Sequence, residues 1–319
     1  MKKKFLNLAL AVLNFFGLSL VFNSCEKDPV VPVDEVLNKD HENPVKAELL
    51  LAEGHLHGKY GFHQNPEQKN VKYVKAVQKI TYTLTEKGWG PTEDSSKQFN
   101  VLGAMAGDEG HVVYGLWINY YNAQGKLIAG EFVENGQDQI HQHFFIPRNV
   151  EPTFDGIKEA DDENVSNMFD YTYCDTNPWN ETLHSGKGKL IGDKNPVGLK
   201  GYFKFNKTRK KFDLSIELMH AAKSKFENGI ASPYYKPSNK QRQVDHWDLK
   251  IRVPVLIYSN QSEYVQSDRG VTLDKLPEDD LKRVKATAKA YGITLEQALE
   301  DIYELFDGDS DPESGNLWF

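Results

Sequence analysis

The stretch Phe212-Asp-Leu-Ser-Ile-Glu-Leu-Met-His220 decides the fold class of this 319-residue chain. Apolar side chains occupy every second position from Phe212 to Leu218, and alternate residues of a β-strand lie on the same face. The pattern therefore predicts a strand with one face in the core. His220 continues the core-facing row, which places an imidazole at the strand end.

Similar patterns lie on both sides of this strand. Residues 201–205 precede it across a polar loop and predict a hairpin with it. Residues 112–121 and 126–133 flank Asn122-Ala-Gln-Gly125 and predict another hairpin. Residues 73–85 and 247–258 add further strands. Because these strands recur without long helical periods between them, residues 46–260 predict an antiparallel β-sandwich or a barrel-like body.

The C-terminal part changes to helical spacing. Residues 277–291 predict a helix that Gly292 closes, since glycine readily adopts the left-handed conformation at a helix end. Thr294-Leu-Glu-Gln297 matches a capping box and predicts the start of a second helix. Residues 261–306 are therefore expected to form a helical hairpin, followed by an acidic tail at 307–319.

The N-terminus has the pattern of a secretory leader. Lys2-Lys-Lys4 precedes an apolar stretch that ends before Ser24-Cys25. A small residue directly before cysteine, followed at once by charges, resembles the signal peptides of Bacteroidota lipoproteins. The resemblance covers about 30 residues and implies removal of residues 1–24, lipid on Cys25 and anchoring in the outer membrane, exposed at the cell surface. Residues 25–45 contain three prolines and are expected to form an extended tether.

The charge balance excludes several classes of partner. The chain has 38 basic and 46 acidic residues and a formal net charge of −8, which loss of the lysine-rich leader makes more negative. Nucleic-acid binding requires a basic surface, as does electrostatic adhesion to anionic lipid. Hydrophobic residues at 39% and aromatic residues at 12% are enough for a packed core.

Histidine spacing is the feature that carries chemistry. Two His-x-His pairs occur, His55 with His57 and His141 with His143, and each pair shares one face of a strand. Other side chains could add donors to these pairs. They are Glu53, on the face of the first pair; His63, which the intervening glycines could turn back toward it; and His220, at the end of its strand. His246 and Asp248 alternate with apolar residues and are expected to face solvent.

Two imidazoles on one face with a third donor match zinc or copper(II). The chain has four methionines, which disfavours a thioether-rich copper(I) site. Zinc is the preferred ion and copper(II) is possible, while haem with histidine as axial ligand is an alternative cofactor.

The resulting hypothesis is a surface lipoprotein that captures a transition metal, or a metal-bearing small ligand, and delivers it to an outer-membrane transporter. One alternative is a zinc-dependent hydrolase in which Glu53 acts as base, since a three-histidine zinc ion with an open position activates water. A structural or adhesive surface protein with incidental histidines is the other alternative.

Overall fold

Strand β12, Lys210–His220, lies near the centre of a four-stranded sheet in the computed structural model. The structure describes residues 39–66, 75–103, 112–153, 156–162, 164–260, 270–306 and 315–319. The strand pairs antiparallel with β7, His141–Pro152, on one side and with β15, His246–Asn260, on the other. Strand β5, Phe99–Gly103, runs parallel to β15 and completes this sheet.

A larger antiparallel sheet lies against the first. Its strand order is β4-β3-β1-β6-β11-β8, and the short β2 pairs with the end of β1. The strands are β1 Lys46–Leu56, β2 Phe62–Gln64, β3 Val77–Thr85, β4 Gly88–Pro91, β6 Val113–Tyr121, β8 Phe169–Tyr173 and β11 Lys200–Phe205.

The two sheets share one hydrophobic core. Leu49, Ile118 and Phe203 of the larger sheet belong to the same buried cluster as Ile216 and Ile251 of the smaller one. Full burial of each such side chain contributes about 1.5–3 kcal/mol. The predicted fold class, an antiparallel β body with a C-terminal helical pair, is therefore confirmed.

Both predicted hairpins differ from the observed connections. After β6 the chain forms a 3-10 helix at Ala129–Phe132 instead of a returning strand, because Ala129 and Phe132 bury their side chains from a helical turn. A second 3-10 helix, Glu134–Gln139, leads into β7. Strands β11 and β12 belong to different sheets, so the loop between them crosses from one layer of the sandwich to the other.

Short elements occupy the connections. Two-residue strands form two small ladders, β9 Thr176–Asn177 with β10 Lys189–Leu190, and β13 Phe226–Glu227 with β14 Ile230–Ala231. Further 3-10 helices span Val165–Asn167, Gly192–Lys194 and Leu273–Lys275. Helix α1, Asn239–Gln243, begins at Ser238 with a complete capping box.

The C-terminal helices agree with the sequence pattern. Helix α2 spans Glu278–Tyr291 and ends at Gly292, whose φ of 63° is left-handed. Helix α3 spans Leu295–Phe306, and the Thr294 hydroxyl accepts a hydrogen bond from the Gln297 amide at 3.1 Å. Within the described residues, no helix is both long and apolar enough to cross a membrane.

The chain ends depart from the expected boundaries. Residues 39–45, expected in the tether, contain the buried residues His41 and Pro44, because they pack against the sandwich. Residues 315–319, expected in an acidic tail, pair with β2, and Phe319 is fully buried against Phe62. Residues 1–24, Cys25 and residues 307–314 lie outside the described part of the chain.

Candidate metal centre

Three adjacent strands bring donors to one end of the smaller sheet. His141 is the first residue of β7 and His220 is the last residue of β12, and the two are direct partners in the antiparallel register. Both imidazoles are buried. The sequence alternation that carried the core-facing row to His220 therefore also places this ring beside His141.

Asp248 joins them because β15 contains a bulge. Leu218 pairs with Leu249 and Met219 with Trp247, so Asp248 has no partner of its own in β12. A bulge re-aims a side chain out of strict alternation. The Asp248 side chain is 2% exposed and turns toward the histidines. The sequence expectation that Asp248 faces solvent was therefore wrong, whereas His246 has a side chain that is 49% exposed.

His41 reaches the same point from the segment before β1. Its ring packs against Phe132, with the ring centroids 4.4 Å apart. The next residue, Glu42, fastens the segment, since its amide donates to Glu131 Oε2 at 2.9 Å and its carboxylate accepts from Asn122 Nδ2 at 2.8 Å. The expected tether therefore contributes a side chain to the centre.

The four donor atoms form a nearly regular tetrahedron. His41 Nε2, His141 Nε2 and His220 Nδ1 lie 3.1, 3.2 and 3.3 Å from one another. Asp248 Oδ2 lies 3.6 Å from each of the three nitrogens. This group of buried side chains could hold a metal ion.

Hydrogen bonds to the other ring nitrogens set the tautomers of two histidines. His141 Nδ1–H donates to the Gln137 carbonyl at 2.9 Å, and His41 Nδ1–H donates to the Glu42 carbonyl at 3.1 Å. Each bond places the proton on Nδ1 and leaves the Nε2 lone pair aimed at the centre. Backbone carbonyls hold metal-binding histidines in this way.

Burial gives the donors the protonation states that a cation requires. Burial, together with the adjacent His141 ring, lowers the pKa of His41 to about 4. Burial also lowers the pKa of His141. For Asp248 burial acts against ionisation, but contacts with His141 and His220 hold its pKa well below its usual range. At neutral pH, His41 and His141 are neutral and Asp248 is a carboxylate.

His143 does not belong to this group, although it follows His141 by two residues. Its Nδ1–H donates to the Val197 carbonyl at 2.7 Å, and its Nε2 accepts from the Tyr120 hydroxyl at 2.7 Å. Both ring nitrogens are therefore engaged. Burial lowers the pKa of His143 to about 4. The structure therefore does not bring His143, predicted as a metal ligand, into the group with His141, because its lone pair already accepts a hydrogen bond.

The first His-x-His pair forms a separate group with His63. His55 Nε2 and His57 Nε2 lie 3.1 Å apart, and the His55 and His63 ring centroids are 5.0 Å apart. Donor atoms of all three histidines lie within 4.8 Å of one another. Glu53, expected as a ligand, instead accepts hydrogen bonds from Asn65 and the Tyr114 hydroxyl. His55 and His57 therefore belong to one group, and His141 belongs to the other.

A third group of possible metal donors consists of acidic residues, and lysines already neutralise their charges. Lys207 Nζ forms ion pairs with the carboxylates of Glu159 at 3.0 Å and Asp161 at 3.1 Å. Lys210 Nζ forms one with the carboxylate of Asp162 at 2.7 Å. Ammonium groups therefore occupy the positions that a cation would take.

Sequence reasoning missed His41 and Asp248 for different reasons. His41 follows a proline-containing segment typical of a tether, and no spacing relates it to His141 or His220. Asp248 was assigned to the solvent face by an alternation that the bulge interrupts. Comparison with known proteins found no matching family model, no matching curated protein and no matching solved structure.

Proposed function

We propose that this protein holds a zinc ion between His41, His141, His220 and Asp248. The six donor separations of 3.1–3.6 Å carry the proposal. Zn–N bonds of about 2.0–2.1 Å place tetrahedral donors about 3.3–3.4 Å apart. A square-planar copper(II) site with bonds of about 2.0 Å would instead show separations of about 2.8 Å between neighbours and about 4.0 Å across.

The donor set disfavours haem and hydrolytic chemistry at this centre. Haem iron takes one or two axial ligands from the protein, whereas four donors here surround one point and leave no space for a porphyrin. A hydrolytic zinc ion keeps an open position for water, whereas four buried protein donors close the shell. Glu53, the base of the hydrolase alternative, belongs to the other histidine group.

In the proposed role, the protein is a lipoprotein of the outer membrane, anchored through Cys25, that captures zinc and passes it to a transporter. The leader sequence supports the anchor, and the net negative charge favours approach of cations. The position of His41 supports release of the ion, because His41 lies on the segment that continues toward Cys25 and not on a strand of the sheet. Departure of this segment would reduce four donors to three and weaken the hold on the ion.

Metal retention tests the proposed ligand set. Protein without a histidine tag is loaded with zinc, dialysed against a weak chelator and analysed by mass spectrometry for bound zinc. Wild type should retain one tightly held equivalent, and Asp248→Asn should lose it, because the amide keeps the shape of the side chain but removes the charge. His246→Gln is the matched control, since His246 is an exposed neighbour of Asp248 and should retain the metal. Equal retention by wild type and Asp248→Asn would contradict the proposal.

A separate experiment tests the proposed location. Cys25→Ala should shift the protein from the outer-membrane fraction to the soluble fraction, because acyl chains supply the anchor. Unchanged membrane association of Cys25→Ala would contradict lipid anchoring while leaving the zinc centre untouched.

A further inference from the structure

The second histidine group lies where β2 folds back on β1. His55 and His63 are direct partners in the antiparallel register, so their rings meet on one face. His57 follows the strand end, where its amide donates to the Gly61 carbonyl at 2.7 Å. Gly54 permits this close approach, because a Cβ there would lie 2.1 Å from the His63 carbonyl oxygen. The fold thus brings three imidazoles to one corner of the larger sheet.

Hydrogen bonds orient two of these rings toward each other. His55 Nδ1–H donates to Asn65 Oδ1 at 2.9 Å, and Asn65 Nδ2 donates to Glu53 Oε1 at 3.2 Å, which fixes the orientation of the amide. His63 Nε2–H donates to the Gly315 carbonyl at 2.9 Å. The lone pairs therefore lie on His55 Nε2 and His63 Nδ1. Carboxylate and carbonyl partners of this kind support metal-binding histidines.

The C-terminal segment of the chain covers one side of this group. Leu317 O accepts from the Gln64 amide at 2.9 Å, and the Phe319 amide donates to Phe62 O at 3.0 Å. The Trp318 indole stacks on His63, with centroids 3.5 Å apart and planes 13° apart. Its centroid is 5.1 Å from that of His57. Because the Trp318 indole contacts these rings, its fluorescence should be sensitive to an ion bound by the histidines.

We propose that His55, His57 and His63 form a second metal site, which binds an exchangeable zinc or copper(II) ion and retains a coordination position open to solvent. His63 is buried, His55 is half-buried and His57 is exposed, so the group opens outward at His57. Three imidazoles leave a position for water or for a ligand from a partner. The chemistry differs from that of the buried centre, where four protein donors close the shell.

Because it opens outward at His57, the second site suits entry of metal rather than long retention. It is also independent of the buried centre. Its ligands lie on β1, on β2 and in the loop between them, none of which contributes a donor to the buried centre. Because the two groups share no ligand, each can fail without the other.

Metal stoichiometry with paired variants tests the second site. Wild type should bind two equivalents of zinc in equilibrium dialysis, one of them weaker. His57→Gln should weaken the second equivalent on the order of a hundredfold, since one of three donors is lost. It should leave the tight equivalent unchanged. His57 is exposed, so the variant should keep the fold, and His246→Gln is the control that should bind two equivalents.

Fluorescence supplies an independent readout. Copper(II) should quench the wild-type emission at the second equivalent, and Trp318→Phe should lose this change while it retains the ring stacking and the stoichiometry. In His57→Gln the quenching should require far more copper. A wild type that binds a single equivalent, or a His57→Gln variant with unchanged second-equivalent affinity and quenching, overturns the second site. Loss of the tight equivalent alone would count against the buried centre and not against this one.

Discussion

Replacing His41 with glutamine tests the contribution of the N-terminal segment to the metal centre. His41 is the donor among the four that lies outside the sheet, while His141, His220 and Asp248 are held by strand pairing. Zinc binding to four-ligand structural sites provides about 10–16 kcal/mol, or roughly 2.5–4 kcal/mol for each donor. At about 1.4 kcal/mol per tenfold change, loss of His41 should weaken zinc binding about a hundredfold to a thousandfold.

Competition with a chromophoric chelator measures this change. The variant should keep its fold, because Glu42 still fastens the segment through Glu131 and Asn122. Circular dichroism checks the fold, and His246→Gln should bind zinc as wild type does. An affinity of His41→Gln within threefold of wild type would refute the assignment of His41 as a ligand.

Three further outcomes follow from the buried polar groups. At free zinc a thousand times the wild-type Kd, zinc should raise the free energy of unfolding by about 4 kcal/mol in wild type but by only about 0.4–1.4 kcal/mol in His41→Gln, as measured by urea unfolding. In metal-free protein, His143 has a folded-state pKa of about 4 against 6.5 when unfolded, so the unfolded state binds more protons between these values. Its contribution of roughly 3 kcal/mol should be present above pH 6.5 and lost as the pH falls toward 4. Urea titrations with chelator at pH 7 and pH 4.5 should show a loss at least as large, because the lowered pKa of His41 acts in the same direction over the same range. Asp175 accepts four backbone amides, from Val197, Gly198, Leu199 and Lys200, so Asp175→Ala should destabilise the fold by at least about 3 kcal/mol in urea unfolding, and a loss below 1 kcal/mol would contradict that role.

The elements that sequence could predict are those fixed by local pattern. The alternation from Phe212 to Leu218 identifies β12 because one face of that strand is buried. Gly292 and Thr294 mark the boundary between α2 and α3 because helix ends need particular backbone conformations and caps. Each of these signals depends on neighbours in the chain.

The missed features depend on contacts between distant segments. Residues 126–133 have apolar side chains that fit a strand, but Ala129 and Phe132 bury them from a 3-10 turn. The bulge at Asp248 results from the pairing of β15 with β12, which strict alternation does not reveal. His41 is placed by its contacts with Phe132, which lies 91 positions further along the chain.

Cys174 shows how the fold determines the behaviour of a single side chain. The sequence contains two cysteines, so with Cys25 expected to carry lipid, Cys174 has no disulfide partner within the chain. The thiol is fully buried, with Sγ 3.7 Å from the Thr172 carbonyl oxygen. Burial raises the pKa of Cys174 well above its usual value, so the thiol is protected from modification in the folded state.

The most direct measurement of the central claim is the position of the ion. A crystal of the zinc-loaded protein, with data collected on both sides of the zinc absorption edge, locates the metal by its anomalous signal. We predict a peak in the buried centre at about 2.0–2.1 Å from His41 Nε2, His141 Nε2 and His220 Nδ1, and at about 2.0–2.2 Å from Asp248 Oδ2. A zinc-loaded crystal without a peak at this point, or with the four side chains turned away from it, would contradict the account.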